Sequence, residues 1–209
     1  MQLRTDSRRT LSRGLKAITL ALTLAAFAGA SYGDDDDDGD ATKEPALAKF
    51  QGYIPRMRTV APGLLCGGQP EKGGLAMLKK HGVKTIINLR DSRRSVEKEQ
   101  QEARSLGLNF VHIPLGHRGK ISDDAISKFL SVVDNRDMQP VFVHCNAGKD
   151  RTAAMIGIYR LERDGWTATK SFEEMRSRGF HTGFKDLAGS VFDRAAKLGR
   201  PEQMPVLDD

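Results

Sequence analysis

Cysteine is scarce in this chain: Cys66 and Cys145 are the only two in 209 residues. Two cysteines cannot build the disulfide framework of a small secreted scaffold. His81, His112, His117 and His181 lack the spacing of metal ligands, so no zinc site and no other metal or cofactor site is expected. Long apolar runs are missing too. The most apolar stretch, Ala17–Ala30, would span roughly 21 Å as a helix, short of the ~30 Å hydrocarbon core of a bilayer. No internal repeat is visible. A real excess of one charge sign is also absent, although the formal charge is +6. Residues 1–30 hold five basic side chains (Arg4, Arg8, Arg9, Arg13, Lys16) and one acid, Asp6. Taking these from the totals of 33 and 27 leaves 28 basic against 26 acidic residues, a balance of +2. That removes the main support for a nucleic-acid partner.

What is there begins with export. A basic segment, Met1–Lys16, precedes the apolar Ala17–Ala30, which closes on the small residues Ala28-Gly29-Ala30. These are the three parts of a secretory signal. Ser7-Arg8-Arg9-Thr10-Leu11 resembles a twin-arginine export motif. Residues 1–30 are therefore read as a signal peptide, leaving no membrane span after cleavage and a periplasmic or secreted protein; an uncleaved anchor would give the same outside location. Residues 31–55 form an acidic linker and lead-in. Asp34–Asp38 are adjacent like charges that repel and bury nothing, and they lack the spaced ligands and turn glycine of a calcium loop. Residues 56–200 are the folded domain and 201–209 a tail.

Within the domain, strand and helix patterns alternate. Gly63–Cys66, Val83–Leu89, Asn109–Leu115 and Pro140–His144 read as strands. Helical spacing covers Glu71–His81, Ser95–Leu106, the segment after a Ser122 N-cap, Thr152–Arg163, Thr167–Arg178 and Phe184–Leu198. The alternation predicts an α/β sandwich with a central, mostly parallel sheet flanked by helices.

The chemistry concentrates in VFVHCNAGKDRT, residues 141–152. An apolar strand ends at Cys145, a short loop follows, and a helix begins at or beside Arg151. Successive loop N–H groups and the positive end of the helix dipole make such a turn an anion trap. Gly148 supplies the positive φ that a curled loop needs. Arg151 offers a planar fork to two oxygens of an anion, which Lys cannot match. The same field favours the thiolate form of a cysteine in the loop. His144 is positioned to fix the loop by hydrogen bonds, and Thr152 to donate to the sulfur. The bland alternative, a small core cysteine before an ordinary glycine turn, does not explain the five-residue spacing from Cys145 to Arg151.

HCNAGKDRT resembles the Cys-x5-Arg signature of protein tyrosine and dual-specificity phosphatases, specifically small atypical bacterial members. The similarity extends to Val60-Ala61-Pro62-Gly63-Leu64, Gly67-Gly68-Gln69-Pro70 and Ile86-Ile87-Asn88-Leu89-Arg90. It continues through Tyr159-Arg160-Leu161, Gly165-Trp166 and Glu173-Glu174-Met175, covering roughly residues 56–195. The resemblance implies a dual-specificity-phosphatase-like fold. It also implies that Cys145 attacks phosphorus to form a cysteinyl-phosphate, which water then hydrolyses without a metal. Asn146, Ala147, Gly148, Lys149 and Arg151 would hold the phosphate of a phosphorylated protein or a phosphoinositide.

One departure concerns the proton donor. The loop after Ile113-Pro114-Leu115, where many members carry an aspartate, has no acid until Asp123 and Asp124. Lys149-Asp150 resembles a subgroup that includes myotubularin-like phosphoinositide phosphatases, so Asp150 is the first expectation for the donor and Asp124 or Asp123 the alternative. Arg90 is expected near the site or paired with Asp91 or Glu97, and Cys66 in packing. The leading function is hydrolysis of phosphotyrosine, with phosphoserine and phosphothreonine open. Phosphoinositide or inositol-phosphate hydrolysis is the alternative, ahead of a phosphate-binding module without turnover and of arsenate reduction or sulfur transfer.

Overall fold

A computed structural model describes residues 47–116 and 118–207. The segment read as a signal peptide, the acidic tract and His117 lie outside the described residues. Eleven principal elements follow in order: β1 (Arg58–Ala61), β2 (Leu64–Gly67), α1 (Gly74–Lys80), β3 (Thr85–Asn88), α2 (Arg93–Ser105), β4 (Asn109–His112), α3 (Asp123–Val133), β5 (Val141–His144), α4 (Asp150–Arg163), α5 (Ala168–Ser177) and α6 (Lys185–Lys197). The strands form one sheet in the order β1-β2-β5-β3-β4. All pairs are parallel except β1 with β2.

A parallel strand covered on both faces has to be apolar throughout. β5 lies at the centre with all four residues buried: Val141, Phe142 and Val143 are apolar, and the polar His144 is hydrogen-bonded on both ring nitrogens. Its side chains divide by parity. Val141, Val143 and Cys145 face a core shared with Ile87, Phe129 of α3, Met155 and Ile158 of α4, Phe172 of α5 and Val191 of α6. Phe142 turns the other way, onto Ile86, Leu75 and Leu78 of α1, and Ala103 of α2. α4 lies between sheet, α5 and α6, which explains why nine of its residues are buried. Among the described residues no helix is long and apolar enough to cross a membrane.

The predicted helices form with shifts of a few residues at their ends. Ser122 caps α3 by accepting from the Ala125 N–H, and Thr167 caps α5 by accepting from Lys170. β1 is an addition to the sequence reading. RTVA carries no apolar run, and its first two residues are exposed; its pairing with β2 is closed by the turn at Gly63, φ 78°. The lead-in belongs to the fold from Leu47 onward, because Phe50 and Ile54 are buried in the α1–α2 core. At the other end, the Glu202 carboxylate accepts from the Ala168 and Thr169 N–H groups, a negative charge on the positive end of α5.

Register decides where the site lies. Gly67 of β2 and Asn88 of β3 both pair with His144 of β5. The carboxyl ends of three parallel strands therefore meet at one point, the usual place for a ligand in an open α/β sheet.

Candidate active site

The chain leaves β5 at His144 and re-enters regular structure at Asp150, so Cys145–Lys149 form the loop. Two loop carbonyls are turned away from its centre. Asn146 O accepts from the Gln69 N–H at 2.8 Å, and Ala147 O accepts from Arg56 Nη1 at 3.1 Å. Peptide units anchored by their outward carbonyls leave their N–H groups directed inward, which is the anion-binding arrangement. One of these donors reaches the sulfur: the Gly148 N–H lies 3.3 Å from Cys145 Sγ. Gly148 has φ 70°, and a Cβ there would sit 2.5 Å from the backbone of Gly67 and Gly68. Only glycine lets the loop lie against the end of β2.

Arg151, in the first turn of α4, is 3% exposed. Its Nη1 donates to Leu115 O at 3.3 Å and to Asp91 Oδ1 at 3.2 Å. The backbone carbonyl fixes the guanidinium, and the carboxylate supplies a counter-charge that an incoming anion would replace.

Beneath the loop lies a buried network. His144 Nδ1 contacts the Cys145 carbonyl at 2.8 Å and Nε2 contacts Glu99 Oε1 at 2.7 Å. A carbonyl can only accept, so Nδ1 carries a hydrogen, and one further proton bridges Nε2 and Glu99. Glu99 Oε2 accepts from Gln69 and Asn88, and Arg90 Nη1 donates to Gln69. Burial pushes the Glu99 carboxyl up, but hydrogen bonds from His144 and Gln69 and the charges of His144 and Arg90 outweigh it and hold the group below its ordinary range. A depressed carboxyl contributes stability that is fully present above its unfolded value and is lost as the pH falls through the folded one. Glu99→Ala would remove the partner of the buried Asn88 and His144 and of the half-buried Gln69, and the expected cost near neutral pH is about 3 kcal/mol. Urea unfolding of the variant and the parent measures it, and the gap between them should narrow in acid.

The remaining predicted residues are distributed unevenly. Asn146 is exposed at the loop tip. The Lys149 side chain runs alongside Gly179, beyond the end of α5. Asp150 Oδ1 accepts from the His181 N–H at 2.8 Å, so this carboxylate braces the α5–α6 connection. Asp150 thus has a structural role at this backbone N–H. Asp123 is paired with Lys197 and Arg194 of α6, and the Lys197 hydrogen bond holds its carboxyl low; an acid so committed is a poor proton source. Asp124 occupies the first turn of α3, where a carboxylate favours the helix dipole. Thr152 makes no bond to the sulfur, and its buried Oγ1 has no partner among the described residues.

Sequence reasoning missed two residues of this site. Glu99 sits on the buried stripe of α2 between Val96 and Ala103, and a lone acid on an apolar stripe was the available signal. Asp91 follows a strand end but pairs with Arg151, while Arg90, its expected partner, binds Gln69. Cys66 is a buried packing residue, and burial pushes its thiol up to about 11.

An anion-binding loop with a cysteine at its base and a buried arginine, at the carboxyl end of a parallel sheet, defines the class of cysteine-dependent phosphatases. Residues 57–190 match the family described as a DSP-PTPase phosphatase fused to NAD+ kinase, and the chain belongs to this dual-specificity phosphatase family. The dual specificity protein phosphatase TpbA of Pseudomonas aeruginosa is 26% identical over 141 residues, 67% of this chain. The match spans 62% of TpbA, less than two thirds of its length. A DUF442 protein of Shewanella putrefaciens superposes with a TM-score of 0.58 at 24% identity, covering 75% of this chain and 99% of that one. The core catalytic domain of the Saccharomyces cerevisiae PP-IP phosphatase SIW14 does so with 0.57 at 20% identity, covering 70% and 94%. These likenesses establish the fold.

Proposed function

We propose that the chain hydrolyses phosphomonoesters, phosphotyrosine foremost, through a cysteinyl-phosphate. The observation that carries this reading is the loop whose Gly148 N–H faces Cys145 Sγ, with the buried Arg151 at its far end. The phosphate takes the loop N–H groups and the Arg151 fork, displacing Asp91. Cys145 Sγ attacks phosphorus as the bond to the leaving oxygen breaks, and that oxygen takes a proton. Water then attacks the cysteinyl-phosphate, breaking the S–P bond and releasing inorganic phosphate. Release of phosphate from phenyl phosphate in the presence of a chelator tests the reading, and no release above a heat-inactivated control would sink it.

Asp91 is the carboxylate this reading assigns as proton donor. It contacts the clamp, and its side chain is 52% exposed. Proton donation contributes typically ~10²–10⁴-fold, and more for a poor leaving group. Asp91→Asn is expected to lose about 10²-fold or more in kcat on an alkyl phosphate and far less on phenyl phosphate. Equal losses on both would mean that Asp91 only orients Arg151. Asp150→Asn is the comparison and should affect both substrates alike.

An inositol-phosphate substrate is the second reading. It is supported by the fold shared with the PP-IP phosphatase SIW14 and by the extra cation Lys149 beside the loop. Arsenate reduction has less support, because a buried thiol raised to about 11 makes Cys66 a poor resolving thiolate.

A further inference from the structure

A small cavity adjoins the anion loop, walled by Gly148, Thr152, Cys66 and the side chains of Arg56, Arg58 and Arg178. Its volume of about 10 Å³ gives room for one water-sized particle or small ion. Three separate segments bring the arginines together. Arg56 is the one non-glycine residue with a left-handed φ, 53°, among the described residues, an uncommon backbone state for a large side chain. Its Nη1 donates to Ala147 O at 3.1 Å. Arg58 is the cross-strand partner of Cys66, so both side chains stand on one face of the sheet. Arg178, at the end of α5, donates through Nη1 to Cys66 Sγ at 3.7 Å.

The wall is rich in donors and poor in acceptors. Guanidinium groups only donate. Arg178 Nε is buried without a partner among the described residues, and so is the hydroxyl of Thr152, a residue 1% exposed. A water there would have two hydrogens to place, with only the Thr152 hydroxyl, the Cys66 sulfur and loop backbone to receive them. A particle that only accepts suits this wall better. Charge agrees. Glu174 binds Arg178 and Arg160, and Asp164 binds Arg160, so these four cancel. Lys149 and Asp150, adjacent at the end of the loop, offset each other as well. Arg56 and Arg58 have no ion pair among the described residues and stay uncompensated. Both are exposed residues, which gives an ion a way in from solvent.

We propose that this cavity is a site for one halide-class anion, chloride in solution, and that its ion opposes phosphate held on the other side of Gly148. The Gly148 N–H faces Cys145 Sγ while the same residue walls the cavity, so only the thickness of the loop separates the two anions. Their repulsion makes the coupling negative and reciprocal. The site itself stands apart from the phosphatase reading; its coupling uses only the loop's hold on phosphate. Crystals of the parent in sodium bromide should show an anomalous peak between Arg58, Thr152 and Arg178, and crystals of Arg58→Gln should not. In solution, calorimetry at fixed ionic strength should find phosphate bound about threefold more weakly in chloride than in gluconate, an anion too large for the cavity. Arg58→Gln should lose that difference. Absence of a bromide peak would overturn the proposal. So would a chloride effect that persists in Arg58→Gln, because the ion would then compete at the loop itself. A peak with no change in phosphate affinity would mark an adventitious ion only, and that too overturns it. A parent that binds no phosphate while bromide fills the cavity would count against the phosphatase reading and leave the anion site standing.

Discussion

Cys145→Ser should bind phosphate or vanadate with little change yet turn over phenyl phosphate about 10³-fold more slowly, or worse. The two halves of this result have different physical sources. Binding depends on the loop N–H groups, the start of α4 and the Arg151 fork. Those are held by Asn146 O on Gln69, Ala147 O on Arg56 and Arg151 on Leu115 O, none of which involves the sulfur. Turnover requires a soft anionic nucleophile, and a serine hydroxyl in the same position has no adjacent base to activate it. His144 is committed, with one nitrogen to the Cys145 carbonyl and the other to Glu99. Residual activity above a tenth of the parent would remove Cys145 from the mechanism. Loss of phosphate binding with the fold intact would mean that the thiol organises the loop.

Gly148→Ala should reverse this pattern, losing phosphate binding and activity together while keeping the thiol. The added Cβ would lie 2.5 Å from Gly67 C and Gly68 N, both backbone atoms that cannot rotate away. Normal carbon contacts are ~3.5–4.0 Å, so the loop would have to retreat by about 1 Å. The left-handed φ of 70° adds strain for any side chain. A displacement of ~1 Å in a reacting group can cost about 10²-fold in rate. The Gly148 N–H would move with it, away from Cys145 Sγ. Isothermal titration with phosphate, kcat on phenyl phosphate and urea unfolding together check this. Activity within threefold of the parent would show that the loop tolerates the shift and that its close seat on β2 is incidental.

Much of this protein was determined locally and was therefore legible in the sequence. The PVFV run reads as a strand buried on both faces, because consecutive apolar residues leave no polar side; His144, polar and equally buried, is accommodated by its two hydrogen bonds. Gly148 and the start of α4 mark an anion-binding turn locally, through a positive φ and a helix dipole, while its loop carbonyls are anchored by the distant Gln69 and Arg56. Cys145 and Arg151 follow from that turn. The Ser122 cap is equally local and forms as read, and Thr167 caps α5 in the same way.

What escaped the sequence depended on contacts between distant segments. Glu99 reaches His144 across 45 residues and Asp91 reaches Arg151 across 60. Both contacts require β3 and β5 to pair in register and α2 to pack beside them. Asp150 looked poised for proton donation because it neighbours Arg151 in the chain, yet the α5–α6 connection folds back and takes its carboxylate at the His181 N–H. β1 exists only because β2 offers it an edge; its own residues have no pattern that demands a strand. A carboxylate carries no mark of which donor it will meet, because hydrogen-bond partners are decided by position in space. The tertiary structure alone therefore brought Asp91 against Arg151, a contact with no local signal in either residue.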